Sequence, residues 1–249
     1  MDFDFSDDQA QLRDAVRKWV DKSYGFDDRR QRVAEGGFSQ ASYQAMAELG
    51  LTGLWVQEAY GGMGMGPVES MVVMEELGRG IVLEPLHHAI MAGVLLGHHA
   101  PPELAQEWGP RLAAGEALMV LAHQERKARY RLEHCETTAQ AEGQGYRLTG
   151  HKSIVAAGDQ ADAFIVPALL QGRMALFVVS ADAAGVTRRG YLTQDGARGA
   201  ELTLNQSPAS LLTEQGLPAL EHAVDVALRR CAPKRWGSWK KLWPLPLNT

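Results

Sequence analysis

The chain has only two cysteines in 249 residues, Cys135 and Cys231, far apart in sequence and without the close spacing of a metal pair or a disulfide framework. No apolar run approaches the roughly 20 residues that a membrane span needs. The N-terminus, Met1-Asp2-Phe3-Asp4-Phe5-Ser6-Asp7-Asp8, is acidic where an export signal would be basic and then apolar. A reduced, cytoplasmic location is therefore the expectation. Walker loops, nucleophile elbows and Cys/His clusters are also missing from the sequence. What remains is ordinary globular composition, 45% hydrophobic and 22% charged, which excludes disordered and collagen-like classes and allows one large domain or two modest ones.

Charge is unevenly spread behind the formal net value of −5. Six of the 25 bases and none of the 30 acids fall in residues 229–249, so residues 1–228 carry 19 bases against 30 acids. The same tail holds Trp236, Trp239 and Trp243, half of the six tryptophans.

The first half of the chain reads as helices. Ser6 and Gln9 form a capping box in which each side chain satisfies a backbone N–H of the first turn, and Leu12, Val16, Trp19 and Val20 follow at helical spacing. Ser39 opens a second run through Tyr43, Met46 and Leu49, closed by Gly50 as a left-handed cap. Pro67 opens a third, running to Leu77 before Gly78, and residues 81–98 and 102–114 give two more. Beyond residue 116 the period changes. Ala117 to Ala122, Thr138 to Glu142, Tyr146 to Thr149, Ala163 to Leu169, Met174 to Val179 and Glu201 to Asn205 are short β-rich runs with no helices between them. This order predicts an antiparallel barrel or sandwich rather than a parallel βαβ sheet. Residues 217–227 return to a helical pattern.

Two motifs invite functional readings. Gly61, Gly62, Gly64 and Gly66 precede a helix, as in a phosphate loop, but they lack the dinucleotide-binding order, and Met63 and Met65 would crowd a pyrophosphate; a structural turn is expected. His87-His88 and His98-His99 lie about three helical turns apart, roughly 16 Å, too far for one metal. No metal is expected.

The order of several segments carries a family resemblance. Ala47-Glu48-Leu49-Gly50-Leu51, then Tyr60-Gly61-Gly62-Met63-Gly64, then Met74-Glu75-Glu76-Leu77-Gly78-Arg79 resembles the N-terminal helical domain of acyl-CoA dehydrogenases. Thr137-Thr138-Ala139, Tyr146-Arg147-Leu148-Thr149-Gly150-His151-Lys152 and Ala161-Asp162-Ala163 resemble that family's middle β domain in the same order, closest to its divergent small-subunit type. The resemblance implies an α+β multidomain fold: a helical domain at 1–116, a β domain at 117–215, and from 216 the start of a C-terminal four-helix bundle, aberrant from about 228. It implies FAD-dependent α,β-dehydrogenation of an acyl-CoA thioester, an electron-transfer flavoprotein or similar acceptor, and a homo- or hetero-oligomeric assembly.

In that family the flavin touches a first segment of the pattern T-E-P-x-x-G-S and a second of the pattern W-I-T. Here the first reads Gln124-Glu125-Arg126-Lys127-Ala128-Arg129-Tyr130, so Gln124 stands for the threonine and Tyr130 for the serine, and only Glu125, structural in the pattern, survives. Ile154, Val155 and Ala156 stand for W-I-T, with Ile154-Val155 as plain core strand the alternative. The cofactor-binding expectation is therefore Gln124, Tyr130, Ile154, Val155 and Ala156. No residue is nominated as catalytic base.

The tail departs from the family pattern. Tryptophan has a single codon, and reading from its last base forces glycine after Trp236, glutamate after Trp239 and alanine after Trp243, within a shifted string that permits a helix of the family's kind. A frame break near Ala227 is the expectation, giving a truncated chain inactive alone. The alternatives are a non-catalytic partner subunit of a heteromeric dehydrogenase, and a nucleic-acid- or membrane-surface-binding protein acting through the basic, Trp-rich tail.

Overall fold

A computed structural model describes residues 5–228. The basic tail with its three tryptophans, and Cys231, lie outside the described residues.

Six α-helices come first. The helix α1 (Asp7–Ser23) opens on the expected capping box: the Ser6 hydroxyl accepts from the Gln9 N–H at 3.2 Å, and the Gln9 carboxamide oxygen accepts from the Ser6 N–H at 3.1 Å. The next, α2 (Phe26–Ala34), is absent from the sequence reading because FDDRRQRVA presents no apolar stripe. It is tied down by polar bonds instead, Arg32 to the Ser23 carbonyl at 2.7 Å and Arg29 to the carbonyls of Ile81 and Asp195. Ser39 caps α3 (Gln40–Glu48) as expected.

The helix α4 (Pro67–Gly80) starts at the predicted proline but passes the predicted stop at Leu77. Gly78 is carried inside the helix, and a Cβ on Gly80, its last residue, would come within 2.7 Å of Val20, so this glycine lets α1 approach α4 closely. The chain then leaves the helix at Ile81, with φ 51°. The helix α5 (Leu86–His99) begins five residues later than predicted, because Glu84 precedes Pro85 and is steered away from helical geometry. It is buried along most of its length and is followed by α6 (Pro102–Ala113).

Seven strands follow: β1 (Met119–Leu121), β2 (Thr138–Glu142), β3 (Gly145–Ala156), β4 (Ala163–Leu170), β5 (Arg173–Ser180), β6 (Val186–Leu192) and β7 (Arg198–Thr213). The pairings β4–β2, β2–β3, β3–β7, β7–β5 and β5–β4 close a ring, and β1 and β6 extend it at β4 and β7. The barrel expectation holds, with one correction. The pairs β1–β4 and β2–β4 are parallel, because the long connection after β1 and the closure of the barrel bring these strands together in the same direction. The edge strand β6, with the half-exposed sequence VTRRGYL, lacks the alternation that would have revealed it.

The sixteen-residue β7 is far longer than its predicted core. One of its edges pairs with β3, while the other serves β6 and then β5. A helical segment at 216–228 buries Ala219, Leu220 and Ala223 in a cluster shared by α5, α6, β1, β4 and β5, which joins the helical half to the barrel.

Candidate functional site

The connection from β1 to β2 carries Gln124 to Tyr130, and β3 carries Ser153 to Ala156. Two contacts lock them together. The Ser153 N–H donates to the Gln124 carbonyl at 2.8 Å, and Lys152, with 0% exposure, donates its ammonium to Glu125 Oε1 at 2.7 Å. The Glu125 carboxylate is saturated: Oε1 also accepts from the Thr137 hydroxyl at 2.7 Å and the Thr137 N–H at 3.0 Å, and Oε2 accepts from the Glu136 N–H at 2.6 Å. Burial pushes this carboxyl up, but the Lys152 ammonium and the donated hydrogen bonds outweigh it and bring it down to about 2. Burial, with Lys152 second, lowers the neighbouring His123 to about 4. Burial raises the Cys135 thiol, which sits 3.7 Å from both Glu125 Oε1 and Lys152 Nζ.

Above this buried pair opens a cleft of about 570 Å³, lined by Gln124, Arg126, Arg129, Tyr130, Ser153, Ile154 and Glu201. It adjoins a second cleft of about 720 Å³ that reaches His151, Thr187, Arg189 and Thr203. Three of the five residues expected to hold a cofactor, Gln124, Tyr130 and Ile154, line one cleft. The other two turn away: Val155 is 2% exposed inside the barrel, and Ala156 faces a small cavity of about 40 Å³ beside Phe38 and Pro85. A slip in the β3–β7 register between Lys152 and Val155 causes the split, since Ile154, at φ 53°, breaks the alternation and shares the cleft with Ser153. The alternative reading of Ile154-Val155 as core strand therefore fits Val155, while Ile154 is 62% exposed.

Sequence reasoning did not assign Lys152 or Glu201 to the site. The sequence carries no clear signal for Lys152, which stands between His151 and Ser153 in a mostly polar stretch of β3; its burial appears only when the barrel closes over it.

The glycine-rich loop is structural, as expected. The N–H groups of Met63, Gly64 and Met65 are consumed by the carbonyls of Gly53, Val56 and Leu54, and a Cβ on Gly62 would lie 2.0 Å from the Val56 oxygen. Of the four paired histidines, His87 and His88 stack on each other, and His99 meets His222 at 2.9 Å. Glu125, His134 and Glu136 bring possible ligand atoms within 4.8 Å of one another, but Lys152 holds Glu125 and Lys127 holds Glu136 at 3.0 Å, so cations already occupy both carboxylates.

A helical array in front of a closed barrel, with a cleft formed by the β1–β2 connection and β3, defines a class, and the comparisons agree with it. Residues 6–116 match the family model described as acyl-CoA dehydrogenase, N-terminal domain. Acyl-CoA dehydrogenase FadE27 of Mycobacterium tuberculosis is 31% identical over 153 residues, covering 61% of this chain and 40% of that protein. A solved variant of the Tcur3481-Tcur3483 steroid ACAD superposes with a TM-score of 0.84 at 26% identity, over 92% of this chain and 63% of that one. One chain of the ChsE4-ChsE5 complex from Mycobacterium tuberculosis shares the fold, with a TM-score of 0.87 at 24% identity, over 97% of this chain and 66% of that one. Both the helical half and the barrel resemble the acyl-CoA dehydrogenase family, whose N-terminal domain model matches residues 6–116. The chain spans less than half the length of the first curated relatives that it matches, 40% and 48%. Among the described residues no helix is long and apolar enough to cross a membrane.

Proposed function

We propose that this chain supplies the flavin- and thioester-facing wall of an acyl-CoA dehydrogenase, in which FAD takes up a hydride from the β-carbon of an acyl-CoA. The observation that carries the reading is the Glu125–Lys152 pair, which fixes the 124–130 turn and the 153–154 edge around one cleft. The residues present fit the isoalloxazine end of a flavin. Ile154 projects an exposed apolar side chain over the cleft, Tyr130 offers a ring at its rim, and the Gln124 carboxamide brings one donor and one acceptor group. Val155 and Ala156 act behind them, as packing for the edge that carries Ile154.

The described residues are assigned binding and positioning roles. Glu125, saturated with donors and held at about 2, has no basicity to spare for removing an α-proton. The chain is accordingly proposed to be inactive by itself, with an electron-transfer flavoprotein type of acceptor in the assembled enzyme. The reading-frame change near Ala227 belongs to the same proposal, and the coding DNA tests it: a family-like frame overlapping from codon 227 is expected, and early stops in that frame would refute it.

The primary test is the visible absorbance spectrum of the purified protein. A flavin band, present as isolated or after incubation with FAD, is the expected result. Protein that stays colourless under both conditions would sink the reading. A second reading, a partner subunit of a heteromeric dehydrogenase, is favoured by the likeness to a chain of the ChsE4-ChsE5 complex. Co-purification with a longer homologue tests it.

A further inference from the structure

Three histidines meet where the helical half joins the barrel. His98 and His99 are the last two residues of α5, and His222 lies on the 216–228 helix, 123 residues beyond His99. His99 Nε2 stands 2.9 Å from His222 Nδ1. The rings of His98 and His99 lie 5.5 and 5.2 Å from the His222 ring, both edge-on to it. Spacing along α5 keeps the pair at 98–99 away from the pair at 87–88, and the third imidazole arrives instead from a segment distant in the chain.

Both backbones that carry these rings are fixed. The Gln57 side chain donates to the Gly97 carbonyl at 2.7 Å and holds the last turn of α5. Ala219, Leu220 and Ala223, at 1% exposure or less, seat the 216–228 helix against α5 and α6. Packed elements of this kind hold ligand atoms in place better than loops do.

Two neutral imidazoles that meet through facing nitrogens share one proton, whereas a divalent cation takes both lone pairs. Tetrahedral zinc, with Zn–N bonds of about 2.0–2.1 Å, sets its ligand nitrogens about 3.3 Å apart. The observed 2.9 Å therefore needs to widen by only about 0.4 Å. The bridging proton moves to the far nitrogen of its own ring, which leaves both imidazoles neutral and both facing lone pairs on the metal. Burial, and then His222 and His98, hold His99 below the usual imidazole range, and the neutral ring is the form that ligates. The group of Glu125, His134 and Glu136 differs, because lysine ammoniums already hold its two carboxylates.

We infer that His99 and His222, with His98 turning in as third ligand, form a binding site for a zinc-class divalent cation that clips the end of α5 to the 216–228 helix. Imidazole ligands suit zinc and its late first-row neighbours and leave the fourth position to water. No residue of the cleft takes part, so the site stands or falls apart from the flavin and thioester reading.

Calorimetric titration of the metal-stripped full chain, carrying no affinity tag, with Zn²⁺ tests this. The expected result is one Zn²⁺ per chain with micromolar affinity and a Tm that rises with Zn²⁺ concentration. Co²⁺ in its place should give the visible absorption of a four-coordinate site. Changing His98, His99 or His222 singly to Ala should weaken Zn²⁺ by at least about tenfold. His222→Gln keeps a hydrogen-bonding side chain toward His99 without an imidazole, so it should fold as wild type by circular dichroism and still lose the metal. His134→Ala should titrate as wild type. Absence of Zn²⁺ uptake by the folded chain would overturn the site, as would unchanged affinity in any of the three alanine variants. Loss of uptake in His134→Ala would place the cation at the carboxylate group instead and overturn it equally.

Discussion

The helical half buries two carboxylates, Glu76 under Arg17 and Arg79 and Glu84 without a cation, and the barrel buries Glu125; Glu84 and Glu125 are handled in opposite ways. In the helical half Glu84, between α4 and α5, meets the buried Tyr24 hydroxyl, with Arg32 lying over the Tyr24 ring at 4.2 Å. Burial raises the Glu84 carboxyl, against the lowering effect of the Tyr24 hydrogen bond. In the barrel Glu125 faces a buried ammonium, and the balance tips the other way, to about 2. A neutral partner leaves a buried acid reluctant to ionise, whereas a cation with three further donors locks it ionised. The difference separates a pair that packs the helical half from a pair that holds the two edges of a cleft together.

The sharpest way to break that contrast is Lys152→Met. It leaves a buried carboxylate without its cation, and a loss of about 3–5 kcal/mol is expected in urea unfolding, together with loss of any ligand bound in the cleft. If unfolding hardly moves, the pair does not hold the site. Acid gives the next largest effect. A folded carboxyl at about 2 against an ordinary 4.5 contributes stability that is present above pH 4.5 and lost as pH falls toward 2, roughly 3 kcal/mol in all. That slope should flatten in Glu125→Gln.

Glu84 predicts the opposite sign. Because its folded value is raised above 4.5, stability is present below that pH and falls as pH rises through the folded value. Glu84→Gln keeps a hydrogen-bonding group for Tyr24 without the ionisation, so the variant should gain Tm relative to wild type as pH rises from 4 to 8. Parallel curves would remove the contrast. The smallest effect belongs to the surface: Ser6→Ala deletes the α1 cap and should cost about 1 kcal/mol in thermal or urea unfolding, with cleft ligands unaffected.

How far each region was legible follows from where its information lies. Caps at Ser6 and Ser39 and the proline at Pro67 are local signals, and the helices they open stand where they were expected. The helix α2 was illegible because polar bonds to distant carbonyls, not an apolar stripe, hold it. At the site, Gln124, Tyr130 and Ile154 line one cleft, but Val155 and Ala156 leave it through a register slip that no local spacing encodes. Arg129 is instructive in another way. The pattern marked a glycine position and the chain shows an arginine, yet only the backbone reveals that the glycine conformation is still in force.

By itself the sequence determined the class: a helical half opened by caps and prolines, a β half without intervening helices, and an ordered set of segments that resembles one family. Tertiary structure decided the rest. Closure of the barrel, the parallel pairing of β4 with β1 and β2, and the meeting of Lys152 with Glu125 across 27 residues all depend on contacts between segments distant in the chain. Local propensity carries no information about them, because their energy appears only when the low-dielectric interior that they share has formed.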